Sequence, residues 1–248
     1  MPTSTAKTNR RTFLKTAAGA CAAATFPTII PASALGLGNR AAPSERIVLG
    51  GIGIGGRGSG VLAGMLPEPD VQFVAVADVQ KARRDAAKAM ADARNGNTDC
   101  AAYADFRELL ARQDIDAVLI AAGDRWHTIA SIHAAAAGKD IYCEKPVSVT
   151  IAEARAMQSA IRRSGVIFQG GMQRRNVGNF VFAANLALSG KLGRIHTVHA
   201  HMMSPATTHD WLPAQPEPPK EVCDWDMWLG PCPWRPYNSA YLGGCGAW

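Results

Sequence analysis

A glycine-rich turn between a predicted strand and a predicted helix constrains the fold of this 248-residue chain more than any other feature. The apolar residues 46–52 predict a buried strand, residues 57–65 follow a helical pattern, and the apolar residues 71–77 predict a second strand that ends before Asp78. The turn carries three glycines in the spacing G-x-G-x-x-G: Gly53, Gly55 and Gly58. This order of elements predicts a parallel α/β unit that binds a dinucleotide.

The glycine pattern can be placed in two registers, one beginning at Gly51 and the other at Gly53. The second is favoured because it leaves a full-length strand before the turn and places Asp78 20 residues after Gly58. In that register the glycines permit a tight turn, a close approach of a pyrophosphate and close packing of helix on strand, while the helix N-terminus offers N–H groups to the phosphates. The turn residues predicted to contact the cofactor are Gly53, Ile54, Gly55, Gly56, Arg57 and Gly58.

The same unit predicts NAD as the cofactor, with NADP less favoured. Asp78 is expected to accept hydrogen bonds from both ribose hydroxyls and to repel a 2′-phosphate. Arg83 and Arg84 lie early in the following helix and could weaken this preference. Solvated side chains are nevertheless the favoured interpretation of two arginines on an exposed helix.

Apolar runs continue to alternate with helical patterns as far as residue 169, which predicts a doubly wound parallel sheet of the Rossmann type in the α/β class. The further strands predicted in this sheet are residues 101–104, 117–122, 140–143 and 166–169. Helices are predicted at 79–94 and 126–137, from the capping box of Asp105 and Glu108, and from the capping box of Thr150 and Glu153 to Gly165.

The pattern changes after residue 170. A helix over 177–188 and a strand over 195–203 predict the start of a second α/β domain with an open, mostly antiparallel sheet, and five tryptophans then fall within residues 211–248. A domain that has just begun its sheet is not expected to stop there, so the sequence is expected to be C-terminally truncated. The predicted segments are a leader (1–34), a linker (35–44), a nucleotide-binding domain (45–170) and a partial substrate and oligomerisation domain (171–248).

The leader has the pattern of a twin-arginine export signal. Residues 10–15 (Arg-Arg-Thr-Phe-Leu-Lys) precede a 15-residue apolar run at 16–30 and a small-residue triplet at 32–34. A membrane anchor is the alternative, but the run is shorter than the about 20 residues that a span needs, and Pro27 interrupts it. We therefore expect the twin-arginine machinery to export the protein, to the periplasm or its equivalent, with no stable membrane span.

The net charge of +6 does not indicate a nucleic-acid partner. Four basic and no acidic residues lie in the leader, and the rest of the chain holds 22 basic against 20 acidic residues, too even a balance for a nucleic-acid surface. The five later cysteines form no C-x-x-C pair. Isolated thiols are favoured over a loose cluster of Cys223, Cys232 and Cys245, and no metal site is predicted.

A lysine follows the predicted strand at 140–143, in the sequence Glu144-Lys145-Pro146. Open α/β sheets bind ligands at the carboxyl ends of their strands, so Lys145 is expected beside the nicotinamide instead of being an ordinary surface residue.

This motif, the glycine turn and residues 171–175 (Gly-Met-Gln-Arg-Arg) make the chain similar to the Gfo/Idh/MocA family of sugar and polyol oxidoreductases, over about residues 47–203. The resemblance implies that Lys145 is catalytic and hydrogen-bonds the reacting oxygen of the substrate as hydride moves to or from the nicotinamide. It also implies that Glu144 and Pro146 line the cofactor, and that a cis bond precedes Pro146.

The turn after the fourth strand supplies further candidates by the same resemblance. Family members usually have Thr-Pro-x-x-x-His here, whereas this chain has Ala122-Gly123, so a threonine hydroxyl contact is lost. Asp124 and Trp126 are predicted to contact the cofactor, and His127 is a catalytic candidate at the nicotinamide. Packing at a helix start is the alternative for Trp126 and His127.

Arg174 and Arg175 are candidates for binding substrate oxygens, with an ion-pair role as the alternative. The family's usual acid/base, a histidine in an Asp-x-x-x-His pattern, does not occur in this sequence. Three histidines alternate along the predicted strand at 195–203, where a half-buried polar strand face is favoured over a site: His196, His199 and His201.

The leading hypothesis is an exported, NAD(P)-dependent oxidoreductase that transfers hydride between nicotinamide and a sugar, cyclitol or related polyol and forms a homo-oligomer when full length. One rival is a glycosidase of the NAD-using kind, which resembles the same family. A rival of another class is a nucleotide-binding protein without turnover, including a truncated product.

Overall fold

The computed structural model describes residues 41–201 and 211–243. The predicted leader, residues 35–40 of the linker and Cys245 lie outside the described residues. The described residues from Arg46 onward belong to one compact unit. In the described ranges, no helix combines the length and apolar character needed to cross a bilayer.

Six parallel strands form one sheet in the order β3-β2-β1-β4-β5-β6. Their bounds are β1 (Ile47–Ile52), β2 (Val71–Ala77), β3 (Ala101–Tyr103), β4 (Ala117–Ile120), β5 (Asp140–Glu144) and β6 (Phe168–Gly171). The chain runs outward from β1 in one direction and then in the other, so the strand order reverses between β1 and β4. This arrangement confirms the predicted doubly wound Rossmann sheet.

The helices of the described residues are α1 (Gly56–Met65), α2 (Lys81–Asn95), α3 (Phe106–Leu110), α4 (Asp124–Ala136), α5 (Ile151–Ser164), α6 (Gly178–Leu188) and α7 (Trp225–Leu229). Short 3-10 helices lie at Pro43–Glu45, Gln173–Asn176 and Ser239–Gly243. The predicted capping box of Thr150 and Glu153 is present at α5, which ends at the left-handed Gly165. At α3 the predicted box is incomplete, because the Asp105 side chain accepts from the N–H of Arg107 while its own N–H does not donate to the Glu108 carboxylate.

The two faces of the sheet are covered by different helices, which gives two apolar cores. Ile120 packs on one face with Leu109 of α3 and Ala134 of α4. Phe73 packs on the other with Leu62 of α1 and Ala87 of α2, and all six side chains are inaccessible to solvent. Burial on both faces explains why these strands are nearly continuous apolar runs.

The strand predicted over 195–203 is absent from its described part. Residues 195–201 are exposed and carry no strand pairing, so the interpretation of His196, His199 and His201 as a half-buried strand face is wrong. A strand needs a neighbour for its N–H and C=O groups, and residues 195–201 take part in no strand pair or bridge among the described residues. Helix α6 is exposed along most of its length although it is strongly apolar.

Residues 211–243, which we call the tryptophan segment, fold back onto the sheet domain. Trp225, Leu229 and Tyr241 form a small core of their own, with the Trp225 and Trp228 rings stacked 4.7 Å apart. Cys223 pairs with Gln80 in an isolated antiparallel bridge. The sequence contained no periodic signal for this docking.

We predict that Phe73→Ala lowers the free energy of unfolding by about 3–5 kcal/mol, because it leaves a cavity under the centre of the sheet. The matched control is Phe182→Ala, whose ring is 67% exposed in α6 and whose loss is expected to change stability by about 0.5 kcal/mol at most. Urea unfolding followed by circular dichroism measures both. Equal effects of the two substitutions would contradict the placement of Phe73 in the core.

Candidate functional site

A cavity of about 440 Å³ opens at the carboxyl ends of the strands, where the strand order reverses between β1 and β4. Its size lies within the range of small-molecule sites in proteins. The sheet domain contributes five groups of residues to its lining: 52–57 without Ile54, 77–80 with Arg83, Ala104 with Phe106, 121–127 with Ala130, and 144–146. Five separate stretches of sequence therefore meet at one edge of the sheet.

The glycine turn adopts the register that begins at Gly53. Gly53 has φ +69°, and a Cβ there would lie 2.4 Å from the Cα of Ala122. A Cβ on Gly58 would lie 3.0 Å from the Cβ of Ala121, which follows β4. A larger residue at position 58 would therefore require α1 to move slightly away from this strand. Gly51 lies inside β1 and faces the Phe73 ring, so it belongs to the core.

Helix α1 begins at the floor of the cavity with free backbone donors. Its N-cap is Gly55, which has no side chain to cap the helix. A Cβ on Gly56 would meet no other atom within 4 Å, so the space beside this residue is open. Unpaired N–H groups and the helix dipole make this end suited to an anionic group. Ile54 differs from its neighbours, because its side chain is 1% exposed and packs in the core instead of lining the cavity.

Asp78 lies at the rim of the cavity immediately after β2. Its carboxylate is nearly buried and accepts a hydrogen bond of 2.9 Å from the N–H of Gln80. Burial raises the pKa of this carboxyl, while the hydrogen bond from Gln80 and the charges of Arg83 and Arg84 act in the opposite direction. The side chain is thus fixed in place beside the cavity.

The favoured interpretation of Arg83 and Arg84 as simply solvated is wrong. Arg83 lines the cavity, and its Nη1 lies 2.7 Å from where a Cβ on Gly55 would be. Its Nη2 donates a 2.6 Å hydrogen bond to the carbonyl of Leu242. Arg84 donates to the carbonyl of Asp78 at 2.5 Å. Both guanidinium groups are drawn inward by backbone carbonyls that sequence periodicity does not reveal.

Glu144 ends β5 and is 2% exposed. Its carboxylate accepts from Arg57 Nε at 3.0 Å, from the amide of Gln173, and from the N–H of Lys145 at 3.2 Å. Three donors therefore satisfy a buried charge that would otherwise be costly. Gln173 was not singled out from the sequence, and its role depends on the close approach of β6 to β5.

Lys145 and Pro146 are exposed at the cavity, and the peptide bond between them is cis. Within the described ranges, no hydrogen bond or ion pair engages the Lys145 ammonium group. An uncommitted ammonium group at a cavity can donate to the oxygen of a ligand.

The start of α4 forms another wall of the cavity through Asp124, Trp126 and His127. His127 is 2% exposed, and its Nδ1 lies 2.6 Å from the carbonyl of Pro146. Because a carbonyl only accepts, Nδ1 carries the proton, and the buried Nε2 has no hydrogen-bond partner among the described residues. Trp126 donates its indole N–H to the carbonyl of Met227 at 3.0 Å.

Arg174 and Arg175 do not line the cavity. Both are exposed in the 3-10 helix after β6, and the Arg174 guanidinium lies over the Phe180 ring at 5.0 Å. The turn directs Gln173 toward Glu144, which leaves the two arginines facing outward. Their predicted contact with substrate therefore has no counterpart in this arrangement.

The described cysteines are reduced and mostly buried. Burial raises the pKa of Cys143 to about 12 and those of Cys100 and Cys223 to about 11. These thiols are therefore protonated at neutral pH and are poor nucleophiles and metal ligands. In the part of the chain that the structure describes, no three His, Cys, Asp or Glu side chains cluster as a metal site.

Comparison with known proteins assigns two parts of the chain. Residues 46–172, about half of the chain, match the Gfo/Idh/MocA model of an oxidoreductase family with an NAD-binding Rossmann fold. Residues 7–27 match the signal sequence of the twin-arginine translocation pathway. The chain therefore carries the signal for export by that pathway.

Similar proteins include inositol 2-dehydrogenase of Salmonella typhimurium, 29% identical over 58% of this chain and 42% of that protein. A glycosyl hydrolase family 109 protein of Saccharopolyspora erythraea is 37% identical over 44% of this chain and 24% of that protein. The crystal structure of scyllo-inositol dehydrogenase from Lactobacillus casei with bound NAD(H) and scyllo-inositol aligns with a TM-score of 0.54 and 27% identity, over 60% of this chain and 42% of that chain. This chain spans less than half the length of each of the three.

The residues matched by the family model are those that build the six-stranded sheet and the edge at which the cavity opens. The glycine cradle and the free N-terminus of α1 fit the pyrophosphate of a dinucleotide. We conclude that the chain belongs to the Gfo/Idh/MocA family of oxidoreductases and that its cofactor is NAD.

Proposed function

We propose that the full-length protein oxidises or reduces a polyol, cyclitol or sugar, with Lys145 binding the reacting oxygen. The observation that carries this proposal is the uncommitted ammonium group of Lys145 at the cavity, at the end of β5. Two relatives whose names specify inositol dehydrogenases support a substrate that bears several hydroxyl groups. Dehydrogenation of such a hydroxyl requires a donor that stabilises charge on its oxygen.

The bound cofactor supplies the hydride acceptor or donor, and the protein supplies the surrounding contacts. The turn from Gly53 to Gly58 and the start of α1 hold the pyrophosphate, and Asp78 holds the adenosine ribose. Asp124, Trp126 and Pro146 also line the cavity and are assigned to the cofactor. All of these residues line the same cavity except Ile54 and Gly58 of the turn, so one extended ligand can contact them together.

Lys145 acts by donating a hydrogen bond to the substrate oxygen, which favours its alkoxide-like form. His127 acts as a positioning residue in this proposal, because its ring N–H is committed to the carbonyl of Pro146. Glu144 fixes the other side of Lys145 by accepting its backbone N–H. The backbone of Lys145 is thus held on one side by Glu144 and on the other by the bond between His127 and Pro146.

A second candidate function is glycoside cleavage, which the 37% identity to a glycosyl hydrolase family 109 protein favours. The two activities differ in their net products. A dehydrogenase accumulates NADH from NAD⁺ and a polyol, whereas a glycosidase releases nitrophenol from a nitrophenyl glycoside with no net NADH. Assays of the full-length protein with a panel of inositols, sugars and nitrophenyl glycosides separate them. Nucleotide binding without turnover of any member of the panel would overturn both.

We also propose that the full-length protein self-associates. The exposed apolar surface of α6, with Phe182 and Leu188 67% and 85% exposed, is larger than isolated surface residues explain. Light scattering of the purified protein measures its mass directly, and a monomer across the concentration range would contradict the proposal.

We predict that Lys145→Met lowers kcat/KM by about 10²- to 10³-fold, because the substrate oxygen loses its charged donor. The affinity for NADH is expected to stay within about threefold of the wild-type value, since the substitution removes a contact with the substrate. Steady-state kinetics and fluorescence titration measure the two quantities. Lys191→Met, at an exposed position outside the cavity, is the control and is expected to change neither. Full activity of Lys145→Met would exclude the role assigned to the lysine.

We predict that Asp78→Ser shifts the cofactor preference toward NADPH, changing the ratio of the NADH and NADPH dissociation constants by about tenfold or more. Loss of the carboxylate removes the ribose acceptor and the repulsion of a 2′-phosphate, while Arg83 and Arg84 remain nearby. The matched control is Asp85→Ser, an exposed aspartate in α2 that pairs with Lys81. An unchanged ratio in Asp78→Ser would show that Asp78 does not contact the ribose.

A further inference from the structure

The tryptophan segment lines part of the cavity. Five of its residues line the cavity, although none belongs to a nucleotide-binding motif: Met227, Trp228, Tyr241, Leu242 and Gly243. The main chain of the segment is also hydrogen-bonded to the residues that follow β2. The N–H of Lys81 donates to Val222 at 2.9 Å, and the N–H of Asp224 donates to Val79 at 3.2 Å. The segment is therefore fastened immediately beside Asp78.

Side chains that line the cavity hold the segment through its backbone carbonyls. Arg125 donates from both Nε and Nη2 to the carbonyl of Trp228, at 2.9 and 2.5 Å. Its guanidinium also lies 4.0 Å from the centre of the Trp228 ring. Arg83 donates to Leu242. A guanidinium group bonded to a carbonyl keeps its positive charge, so both anchors still present a cation to a ligand in the cavity.

Glycines on both sides make room for this contact. A Cβ on Gly123 would lie 2.4 Å from Nη1 of Arg125. Gly230 has φ +59°, and a Cβ there would lie 2.5 Å from the Trp126 ring. Gly123 and Gly230 thus leave room for Arg125 and Trp126, the two side chains of α4 that donate to the tryptophan segment.

The positions of the charged side chains at the cavity indicate which part of the cofactor the tryptophan segment meets. Arg57 is paired with Glu144, and Lys145 lies at the end of β5. Arg83 is the cation beside Gly55, the glycine at which the backbone approaches a pyrophosphate. Arg125 is 9% exposed, and burial lowers its pKa, so an anionic ligand would offset the cost of its buried charge.

We propose that the tryptophan segment is part of the NAD(H) site, and that Arg83 and Arg125 hold it against the pyrophosphate and adenosine portions of the cofactor. Release of NAD(H) then requires these contacts to open, so the segment slows exchange of the cofactor. The proposal rests on NAD as the cofactor and is independent of the substrate and of Lys145.

The test is the dissociation rate of NADH in the absence of substrate, measured by stopped-flow fluorescence on the full chain. Arg83→Met and Arg125→Met are each expected to release NADH about tenfold faster or more, the scale of a lost hydrogen bond from a charged donor. Arg94→Met is the matched control, because Arg94 lies in the same helix as Arg83 and also donates to backbone carbonyls, Leu66 and Pro67, away from the cavity. It is expected to leave the rate within about twofold of the wild-type value.

A second measurement needs no substitution and therefore does not depend on whether the variants fold. Hydrogen exchange of the wild-type chain, followed by mass spectrometry, is expected to slow in residues 222–243 when NAD⁺ is added. Unchanged exchange in these residues at saturating NAD⁺ would overturn the proposal. So would NADH release within about twofold of wild type in both folded arginine variants. A failure of polyol turnover would affect only the proposed function, because neither measurement contains substrate.

Discussion

The ion pair between Arg57 and Glu144 joins the two sequence motifs on which the nucleotide site depends. Arg57 belongs to the start of α1, and Glu144 ends β5 87 residues later. The carboxylate is almost fully buried, so removal of a donor would leave a charge without adequate compensation and would loosen the neighbouring backbone. This contact holds the glycine turn and the backbone of Lys145 at a fixed distance from each other. A ligand that contacts both needs such a fixed distance.

The other residues of the site are held in place by contacts with neighbouring strands and helices. The left-handed Gly53 and the close approach at Gly58 set the position of α1 on β4. His127 fixes the backbone of Pro146 from the neighbouring helix α4. The groups assigned to the cofactor and the substrate thus lie at the ends of adjacent strands, whose positions the core determines.

Local signals in the sequence predicted the sheet, the register of the glycine turn, the capping box at Thr150 and the cis bond before Pro146. Each depends on residues close together in sequence or, for the cis bond, on a family motif. The contacts of Arg83 and Arg125 were not predicted, because their partners lie 159 and 103 residues away. The burial of Ile54 and the outward direction of Arg174 and Arg175 depend on packing between elements. The predicted strand near residue 198 had apolar alternation but no neighbouring strand among the described residues.

A crystal structure of the chain with NAD⁺ would locate the cofactor relative to Asp78, α1 and Lys145. One dinucleotide is expected along the cavity at the carboxyl ends of the strands. Its adenosine ribose is expected to be bonded to Asp78, its pyrophosphate to lie at the start of α1, and its nicotinamide to lie beside Lys145. A nucleotide bound elsewhere, or one whose nicotinamide lies away from Lys145, would show that these residues do not form the NAD site.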